Sequence, residues 1–444
     1  MMVCKVRGQR RKATKAQIYT SCRRSFRSSG RTSRAVLRAM KRIADALLLA
    51  AMPALAHAAC VGLNVPPNAT LAQIQAAINA NPNGATLCFT TGTSVLSGYI
   101  MPKPSQRLIC DPRRTCVITG NNTAIGGFRV DAGTSGVLIQ GFVVKDFAKP
   151  TTFPVGCMQV REGGLMQDNE ITNCDIGMTI HNGATARGNF LHHNRCQGIG
   201  GGVGNDMVLE DNELWLNNTN HNDGGADCSG SKLVGSTTGA TNVTWRNNYV
   251  HDNYGQGLWC DGNCKNLLYE GNRIENNSGC GIDHEISWSA TIRNNTFLNN
   301  GADEVPEQSC FHGGSICVNN SHDLLIIANT VVQNDGRNGI CLNASTRTET
   351  ASWFPNDLAN VTVQGNTIKT TGPGLSGLTG NASTNIVFKG NVYYTPTATG
   401  MSWQYYKSMT RAQWQAAGQD LDGTFLLWNG NLGQLVAPVL RISQ

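Results

Sequence analysis

Charged residues are scarce in this sequence: they make up 15% of the 444 residues, and aromatic residues make up another 7%. Proline is also infrequent, with 14 residues, and alanine-rich stretches of helical character are confined to the two ends of the chain. This profile argues against a helix bundle and against a doubly wound α/β enzyme. Because 40% of the residues are hydrophobic, it also excludes wholesale disorder.

Several motifs are missing as well. The sequence contains no CxxC pair and no Cys–His arrangement with the spacing of a zinc site. It also contains no glycine-rich phosphate loop, haem motif or nucleotide fingerprint. We therefore expect neither structural zinc nor an organic cofactor.

Glycine and asparagine are abundant, with 50 and 45 residues. These are the residue types that adopt positive φ at least cost, so they favour tight turns. The composition therefore predicts many short strands joined by turns.

The formal net charge of +7 comes from the N-terminal part of the chain. Residues 1–58 contain 14 Lys and Arg against one acidic residue, whereas the remainder contains 22 basic and 28 acidic residues. The main body is therefore net acidic, which argues against nucleic acid as a partner.

The end of this basic segment has the features of an export signal. Residues 40–42 are Met-Lys-Arg, residues 46–55 are apolar, and residues 56–58 form an Ala-His-Ala cleavage pattern. We interpret 40–58 as a signal peptide and 1–39 as a basic extension upstream of the natural start; a long n-region is the alternative. The apolar run is too short to span a bilayer comfortably. We thus expect a secreted or periplasmic protein that is not membrane-bound after cleavage.

Cysteine usage agrees with export. Of 16 cysteines, 14 lie between Cys60 and Cys341, an even number that predicts several disulfides. The full pairing cannot be deduced from the sequence. Two pairs are close enough to form small loops, Cys110 with Cys116 and Cys260 with Cys264.

An internal repeat determines the predicted architecture. Each copy places an asparagine just before a short apolar segment, as in Glu-Gly-Asn-Arg-Ile at 270–274. Successive copies are 20 to 37 residues apart, and the wider spacings indicate insertions. The repeated asparagines are Asn169, Asn189, Asn212, Asn248, Asn272, Asn295, Asn329, Asn366 and Asn391.

A repeat of this length is typical of a solenoid, in which each coil buries its apolar face against the next. Coils about 4.8 Å apart form parallel sheets, and stacked asparagines can hydrogen-bond to one another in a ladder. The predicted fold class is all-β: a right-handed parallel β-helix of roughly ten coils.

Charges two residues before the asparagine alternate in sign on five successive coils. These residues are Arg187, Glu210, Arg246, Glu270 and Arg293. Stacked side chains of opposite charge stabilise neighbouring strands, so we interpret the row as a structural salt-bridge ladder.

Both ends of the solenoid are predicted to be capped. Residues 70–80 have apolar residues at helical spacing and form an N-terminal cap helix, and residues 400–444 form a C-terminal cap containing a short helix at 408–418. The chain is thus a single β-helix domain over 59–440, and with both ends capped we expect a monomer.

At this point the sequence resembles the pectate-lyase-like superfamily, and more narrowly an exported bacterial branch of right-handed parallel β-helix proteins. The resemblance rests on Gly-Leu-Trp-Cys-Asp at 257–261, Gly-Ile-Asp-His-Glu-Ile-Ser at 281–287 and Trp-Gln-Ala-Ala-Gly-Gln-Asp at 414–420. The superfamily includes polysaccharide lyases, glycoside hydrolases, uronate epimerases, esterases and phage tailspikes. The resemblance therefore implies the fold strongly and the chemistry weakly.

Acidic residues cluster on adjacent coils of one predicted sheet. Aligning the coils places Trp259 over Asp283 and Asp261 over Glu285, and strand alternation turns all four side chains outward. Asp261 and Glu285 would lie about 5 Å apart, and two carboxylates that close do not both ionise cheaply. One alternative is a general acid beside a base or nucleophile, as in glycoside hydrolysis. The second is a Ca²⁺ ion held by Asp261, Asp283 and Glu285, as the resemblance to pectate lyases implies. The third is a solvated acidic stripe without function.

Two further residues are candidate catalytic groups. His284 lies between the acids; strict alternation turns it inward as a core histidine, whereas a departure from the strand would leave a catalytic imidazole. Lys232 lies in the insertion 222–236, which we predict to be a loop over the acidic strand. Lyases need a base, often Lys or Arg, to remove the proton next to a uronate carboxylate, and a merely solvated lysine is the alternative.

Substrate contacts are predicted around the same strands. We expect Trp259 to be exposed and to stack on a sugar ring, because Asp261 shares its face; edge packing against an inserted loop is the alternative. Asn319 and Asn343 continue the row of Asp261 and Glu285, and insertions at 301–314 and 346–357 would form walls beside it.

These observations support two classes of function. The first is a secreted enzyme that cleaves a polysaccharide, which we expect to contain uronate, by β-elimination or hydrolysis. The alternative is a non-catalytic surface or matrix protein that binds glycans.

Overall fold

A computed structural model describes residues 59–147, 155–222, 228–301, 313–334, 337–371, 375–380, 383–396, 402–405 and 407–428. Their architecture is a parallel β-helix: three long sheets, here named A, B and C, run along the solenoid, and most coils contribute one strand to each sheet. The sheets contain 12 or 13 strands, so the described part has slightly more coils than the predicted ten. The predicted all-β solenoid is confirmed.

Sheet A is a 13-stranded parallel sheet, and its strands come first in the order A, B, C along the coils. Its strands are Leu63–Val65, Thr86–Phe89, Arg107–Cys110, Val137–Gln140, Gly164–Gln167, Thr185–Arg187, Val208–Glu210, Thr244–Arg246, Leu267–Glu270, Ala290–Arg293, His322–Ile327, Leu358–Gln364 and Ser383–Lys389.

Sheet B also has 13 parallel strands, and all but the last follow a strand of sheet A after a turn. They are Gly92–Val95, Cys116–Thr119, Phe142–Phe147, Glu170–Cys174, Phe190–His192, Glu213–Trp215, Tyr249–His251, Arg273–Glu275, Thr296–Leu298, Thr330–Gln333, Thr367–Thr370, Val392–Thr395 and Thr424–Leu427.

Sheet C has 12 strands and ends in one antiparallel pair. Its strands are Phe128–Val130, Gly156–Val160, Ile176–Ile180, Gln197–Gly201, Ser229–Val234, Leu258–Asp261, Ile282–Glu285, Gly314–Asn319, Asn338–Ala344, Leu375–Gly380, Ser402–Tyr405 and Ser408–Met409. A two-stranded sheet, Gly204–Asn205 with Ala240–Thr241, lies in the connections that lead from sheet C to sheet A.

Helix α1, Leu71–Ala80, is the predicted N-terminal cap. Thr70 and Gln73 form a capping box at its start, which satisfies N–H groups that have no partner within the helix. Ile74 and Ile78 are fully buried, so the apolar face of the helix covers the first coil.

Helix α2, Arg411–Ala416, confirms the predicted helix near the C-terminus and starts with a second capping box, Thr410 with Gln413. The tail predicted as strand-like over 426–442 is described as far as residue 428: the strand Thr424–Leu427 pairs with Val392–Thr395 of sheet B. The remainder of that tail lies outside the described residues.

The predicted asparagine ladder runs along the turn between sheets A and B. At each step the side-chain oxygen of one asparagine accepts hydrogen bonds from the backbone N–H and side-chain NH₂ of the asparagine one coil earlier. At Asn272, for example, both groups donate to Asn295 at 2.9 Å, and the same NH₂ donates to the Trp245 carbonyl at 2.9 Å. The ladder ends on the buried carboxylate of Asp420, which accepts from Asn391, Tyr393 and Trp414. The motif at 414–420 is therefore a structural cap.

A second asparagine ladder, which we did not predict, lies at the turn between sheets B and C. It uses the asparagine five residues after each first-ladder asparagine from Asn189 to Asn295, and the bonding pattern is the same. Its members are Asn194, Asn217, Asn253, Asn277 and Asn300.

The predicted salt-bridge ladder is confirmed on the outer face of sheet A. Its five residues are in register on successive strands. Glu210 accepts from Arg187 at 2.5 Å and from Arg246 at 2.6 Å, and Arg293 binds Glu270 at 2.7 Å.

Six disulfides link described cysteines, as expected for a protein of an oxidising compartment. They include the two predicted pairs, Cys110–Cys116 and Cys260–Cys264. No helix in the described ranges is long and apolar enough to cross a bilayer. The predicted signal peptide lies outside those ranges.

Candidate functional site

The candidate site lies on the outer face of sheet C, and its predicted register is confirmed. Trp259 pairs with Asp283 and Asp261 pairs with Glu285 on the next strand. The alternate positions point inward and are fully buried: Leu258, Ile282, Ile316 and Ile340 have no exposed surface. Alternation along each strand thus places the acidic side chains on the outside of the solenoid.

Lys232 is a central residue of this face, and the prediction that it lies in a loop was wrong. It belongs to the strand Ser229–Val234 and pairs in register with Trp259. Its ammonium lies 3.6 Å from the centre of the Trp259 ring and 2.9 Å from Asp261 Oδ2. The lysine side chain is 3% exposed and that of Asp261 is 22% exposed. This ion pair therefore has a buried cation and a carboxylate that water or a ligand can reach.

Trp259 is not the exposed platform that we predicted. Its side chain is 2% exposed, and the Lys232 ammonium covers its ring. A cation over an aromatic face is attracted by the ring quadrupole, and the attraction strengthens when both groups are removed from water. Trp259 thus holds Lys232 beside Asp261 and presents little surface for a sugar to stack on.

Glu285 is paired with an arginine from the predicted wall at 346–357. Arg347 NH2 lies 2.6 Å from Glu285 Oε1, and the Glu285 side chain is 7% exposed. Asn320 fastens this segment at both ends, because its NH₂ donates to the carbonyls of Ser345 at 2.8 Å and Asn356 at 3.0 Å. The segment therefore folds over the sheet and covers Glu285. The second wall lies almost entirely outside the described residues, at 302–312.

The other polar side chains predicted for this face of sheet C bond to polar neighbours. Asp283 is fully buried and accepts a hydrogen bond from Asn319 at 2.9 Å. Asn343 accepts from Thr379 at 2.9 Å and donates to Ser345 at 2.7 Å. Asn319 and Asn343 do lie on the predicted row, below Glu285, but they are largely buried.

The charge pattern differs from the expected pair of mutually repelling carboxylates. Asp261 and Glu285 are in register on adjacent strands, yet each binds its own cation, Lys232 or Arg347. Among the described residues, no group of three or more Asp, Glu, His and Cys side chains is arranged to hold a metal ion. The donor set of Asp261, Asp283 and Glu285 therefore fits Ca²⁺ poorly.

His284 points into the core, as strict strand alternation predicts. Its ring is fully buried, and Nε2 donates to the carbonyl of Trp288 at 2.9 Å, which places a proton on Nε2. Burial lowers the pKa of His284 to about 4, because the charged imidazolium would be isolated from water. The imidazole therefore lies on the opposite side of the sheet from Asp261 and cannot contact a substrate bound there.

Sequence reasoning missed Arg347 as a member of this face. It lies 62 residues after Glu285 and within an insertion that has no counterpart in neighbouring coils. The available signal was its place in the predicted wall, where a lone arginine faces a row of acids. Lys232, in contrast, could have been found by continuing the strand alignment one coil upstream.

The sequence matches the family described as right handed beta helix region, over residues 120–297 and 234–410. The chain belongs to this family. No curated protein matches it in sequence.

Solved structures of similar fold include a glucanase and an epimerase. The catalytic unit of a GH87 α-1,3-glucanase from Streptomyces thermodiastaticus is 14% identical with a TM-score of 0.57; the match covers 85% of this chain and 69% of the other. The A-module of the mannuronan C-5 epimerase AlgE6 from Azotobacter vinelandii is 16% identical with a TM-score of 0.56, covering 81% and 92% of the two chains. Identities this low establish similarity of fold.

Proposed function

We propose that this protein is an exported enzyme that cleaves a uronate-containing polysaccharide on the outer face of sheet C, with Asp261 as the group that contacts the substrate. The observation that carries the proposal is the ion pair of a buried lysine with a partly exposed aspartate, braced by a tryptophan. Buried charges are costly to maintain, and such arrangements are concentrated at functional sites.

The pair supplies the two functions that elimination from a uronate requires. Asp261 is a carboxylate that can remove the proton next to the uronate carboxyl group. The Lys232 ammonium, 2.9 Å away, places positive charge where negative charge develops as that proton leaves. The electron pair of the broken C–H bond then forms the new C=C bond, and the bond to the leaving sugar oxygen breaks. That oxygen takes up a proton from water or from the protonated Asp261, and an unsaturated uronate forms.

Hydrolysis is the competing reaction at the same residues. Asp261 would act as the base or nucleophile, and the acid would come from Glu285 on the adjacent strand. The Arg347 ion pair and the cover over Glu285 count against it, because a general acid must be protonated and must reach the leaving oxygen.

A non-catalytic glycan-binding role is the second candidate. It is favoured by the fact that Lys232, Asp283 and Glu285 are largely buried and hydrogen-bonded or ion-paired, so that Asp261 is the most exposed charge of the row.

A polysaccharide panel with two signals in parallel tests these alternatives: ultraviolet absorbance of unsaturated uronate, and release of reducing ends. We expect absorbance, retained in a chelator because the carboxylates are paired with protein cations. Asp261→Asn should lower the rate about 1000-fold, within the range of general-base catalysis. Asp211→Asn is the matched control, since it changes an exposed turn aspartate at φ 56, a conformation that asparagine tolerates.

Each result has a distinct meaning. Reducing ends without absorbance would show hydrolysis, and activity lost in the chelator and restored by Ca²⁺ would return the metal hypothesis. Equal activity of Asp261→Asn and Asp211→Asn would contradict the site assignment. Silence of the folded protein over a broad panel would favour glycan binding without catalysis.

A further inference from the structure

A groove of about 670 Å³ lies on the outer face of sheet A, near the N-terminal end of the solenoid and on a different sheet from the candidate site. Four successive strands form it: Arg107–Cys110, Val137–Gln140, Gly164–Gln167 and Thr185–Arg187. Arg107, Leu138, Leu165 and Thr185 are stacked in register across these strands. At about 4.8 Å per strand, the groove extends about 14 Å along the solenoid, enough for several linked sugar rings rather than one small molecule.

Glycines form one edge of the groove. Gly136, Gly163 and Gly183 lie at corresponding positions just before three of the strands, and none of them adds a side chain to the edge. At Gly163 a Cβ atom would meet its nearest atom at 3.7 Å, an ordinary van der Waals contact, so a side chain can be added there without a clash at Cβ. The missing side chains of these glycines therefore leave the groove concave, and a large side chain substituted for one of them would fill it.

The charge of the groove is positive, although the chain beyond residue 58 is net acidic. Arg107 is exposed, the Arg187 side chain is 45% exposed, and no acidic residue is found among the described residues that line the groove. Two carboxylates beside the groove bind arginines: Asp168 binds Arg113 at 2.6 Å and also accepts from the Gln140 NH₂ at 3.2 Å, and Glu210 binds Arg187.

We propose that this groove binds an anionic polysaccharide. The leucines offer an apolar floor for the C–H faces of sugar rings, the Gln140 and Gln167 amides can hydrogen-bond hydroxyl groups, and Arg107 can bind a carboxylate or sulfate with two parallel hydrogen bonds. Single-stranded nucleic acid is less well matched, because its bases stack on aromatic side chains and the described lining has none. The proposal goes beyond the proposed function and does not require sheet C to be catalytic.

Affinity electrophoresis of purified Asp261→Asn protein tests the proposal without turnover. The probes are polygalacturonate for carboxylates, dextran sulfate for sulfates and unmodified dextran as the neutral match. We expect binding to one or both anionic polymers and not to dextran. Arg107→Glu should weaken it about tenfold by reversing the charge, and Gly163→Trp should weaken it similarly by filling the groove.

Lys389→Glu is the matched control: it makes the same change in charge on an exposed residue at the far end of sheet A, and should leave affinity unchanged. Equal affinity of wild type, Arg107→Glu and Gly163→Trp would overturn the proposal. So would equal binding of dextran, or displacement of the bound glycan by single-stranded DNA at lower concentration than by free polygalacturonate.

Turnover of short oligosaccharides, measured separately with the Asp261 intact, distinguishes the two proposals. If the groove binds an anionic polysaccharide but the protein turns over no oligosaccharide, this proposal stands and the enzymatic one fails. If the protein turns over oligosaccharides but the groove variants bind the polysaccharide as tightly as wild type, the enzymatic proposal stands and this one fails.

Discussion

The asparagine ladder between sheets A and B and the polar row on sheet C are both largely buried, yet they satisfy their polar groups differently. In the ladder each asparagine bonds to an identical residue one coil away, at nearly constant distances of 2.9–3.1 Å. On sheet C the residue type changes along the row of Lys232, Trp259 and Asp283. The charged residues of this face pair either with a diagonal neighbour, as Lys232 does with Asp261, or with a residue of an insertion, as Glu285 does with Arg347.

Stacking of identical coils is enough to satisfy the asparagine side chains, whereas each buried charged side chain needs a specific partner. An amide donates and accepts at once, so identical copies complete one another by translation along the solenoid. A carboxylate accepts and an ammonium donates, so each buried charge needs a specific partner of the other kind. A repeating row is therefore completed by stacking alone, whereas each charge of the non-repeating row on sheet C is held by a partner of its own, such as Asp261 for Lys232.

The largest effect is expected from breaking the ladder in its middle. Asn272→Ala removes the acceptor of two bonds from Asn248 and the donor of bonds to Trp245 and Asn295. Because several buried groups lose partners at once, we expect unfolding free energy to fall by about 4 kcal/mol, measured by chemical denaturation.

The control is Asn205→Ala, at an exposed position outside the ladder, which should change stability by less than about 0.5 kcal/mol. A similar small loss for Asn272→Ala would show that the ladder adds little beyond the packing of the coils.

Repetition also explains what could be predicted from the sequence. The ladder, the charge alternation ending at Arg293, and the register of Asp261 with Glu285 all follow from aligning one coil on the next. The burial of Trp259 could not be predicted, because it depends on where the flexible Lys232 side chain turns. The Glu285–Arg347 pair could not be predicted either, since an insertion has no neighbouring copy to align with.

A second prediction concerns His284, a single buried imidazole without a repeating partner. Its folded pKa of about 4 lies below the unfolded value of about 6.5. As the pH falls through 6.5 the unfolded chain takes up a proton that the folded chain refuses, so stability is lost with acid. His284→Leu should remove this loss. Between about pH 7.5 and about pH 4.5, unfolding free energy should shift in favour of the variant by about 2 to 3 kcal/mol.

Denaturant titrations of wild type and variant at both pH values measure the shift. Val318→Leu, a substitution of a fully buried residue beside His284 on the next strand, introduces no ionisable group and should lower stability equally at both pH values. If wild type and His284→Leu lost the same unfolding free energy between the two pH values, the folded imidazole would be taking up a proton despite its burial.

The smallest effect is expected from the salt-bridge ladder, which repeats along the solenoid like the asparagines but faces solvent. Burial disfavours the charged form of Glu210, yet hydrogen bonds from Arg246 and Arg187 outweigh it and hold the pKa of this carboxyl below its usual value. The stabilisation is therefore present above about pH 4.3, the unfolded value, and is lost as the pH falls further. Glu210→Gln should cost about 1 kcal/mol at neutral pH in dilute salt, and most of that cost should vanish at high ionic strength.

Glu349→Gln, at an exposed position of the covering segment, is its control and should be neutral in either salt. If instead Glu210→Gln cost several kcal/mol and salt did not change the loss, the ladder would be behaving as a buried network. Repetition along the solenoid would then confer the same stability on charges as on amides, and exposure would no longer explain why the two ladders differ.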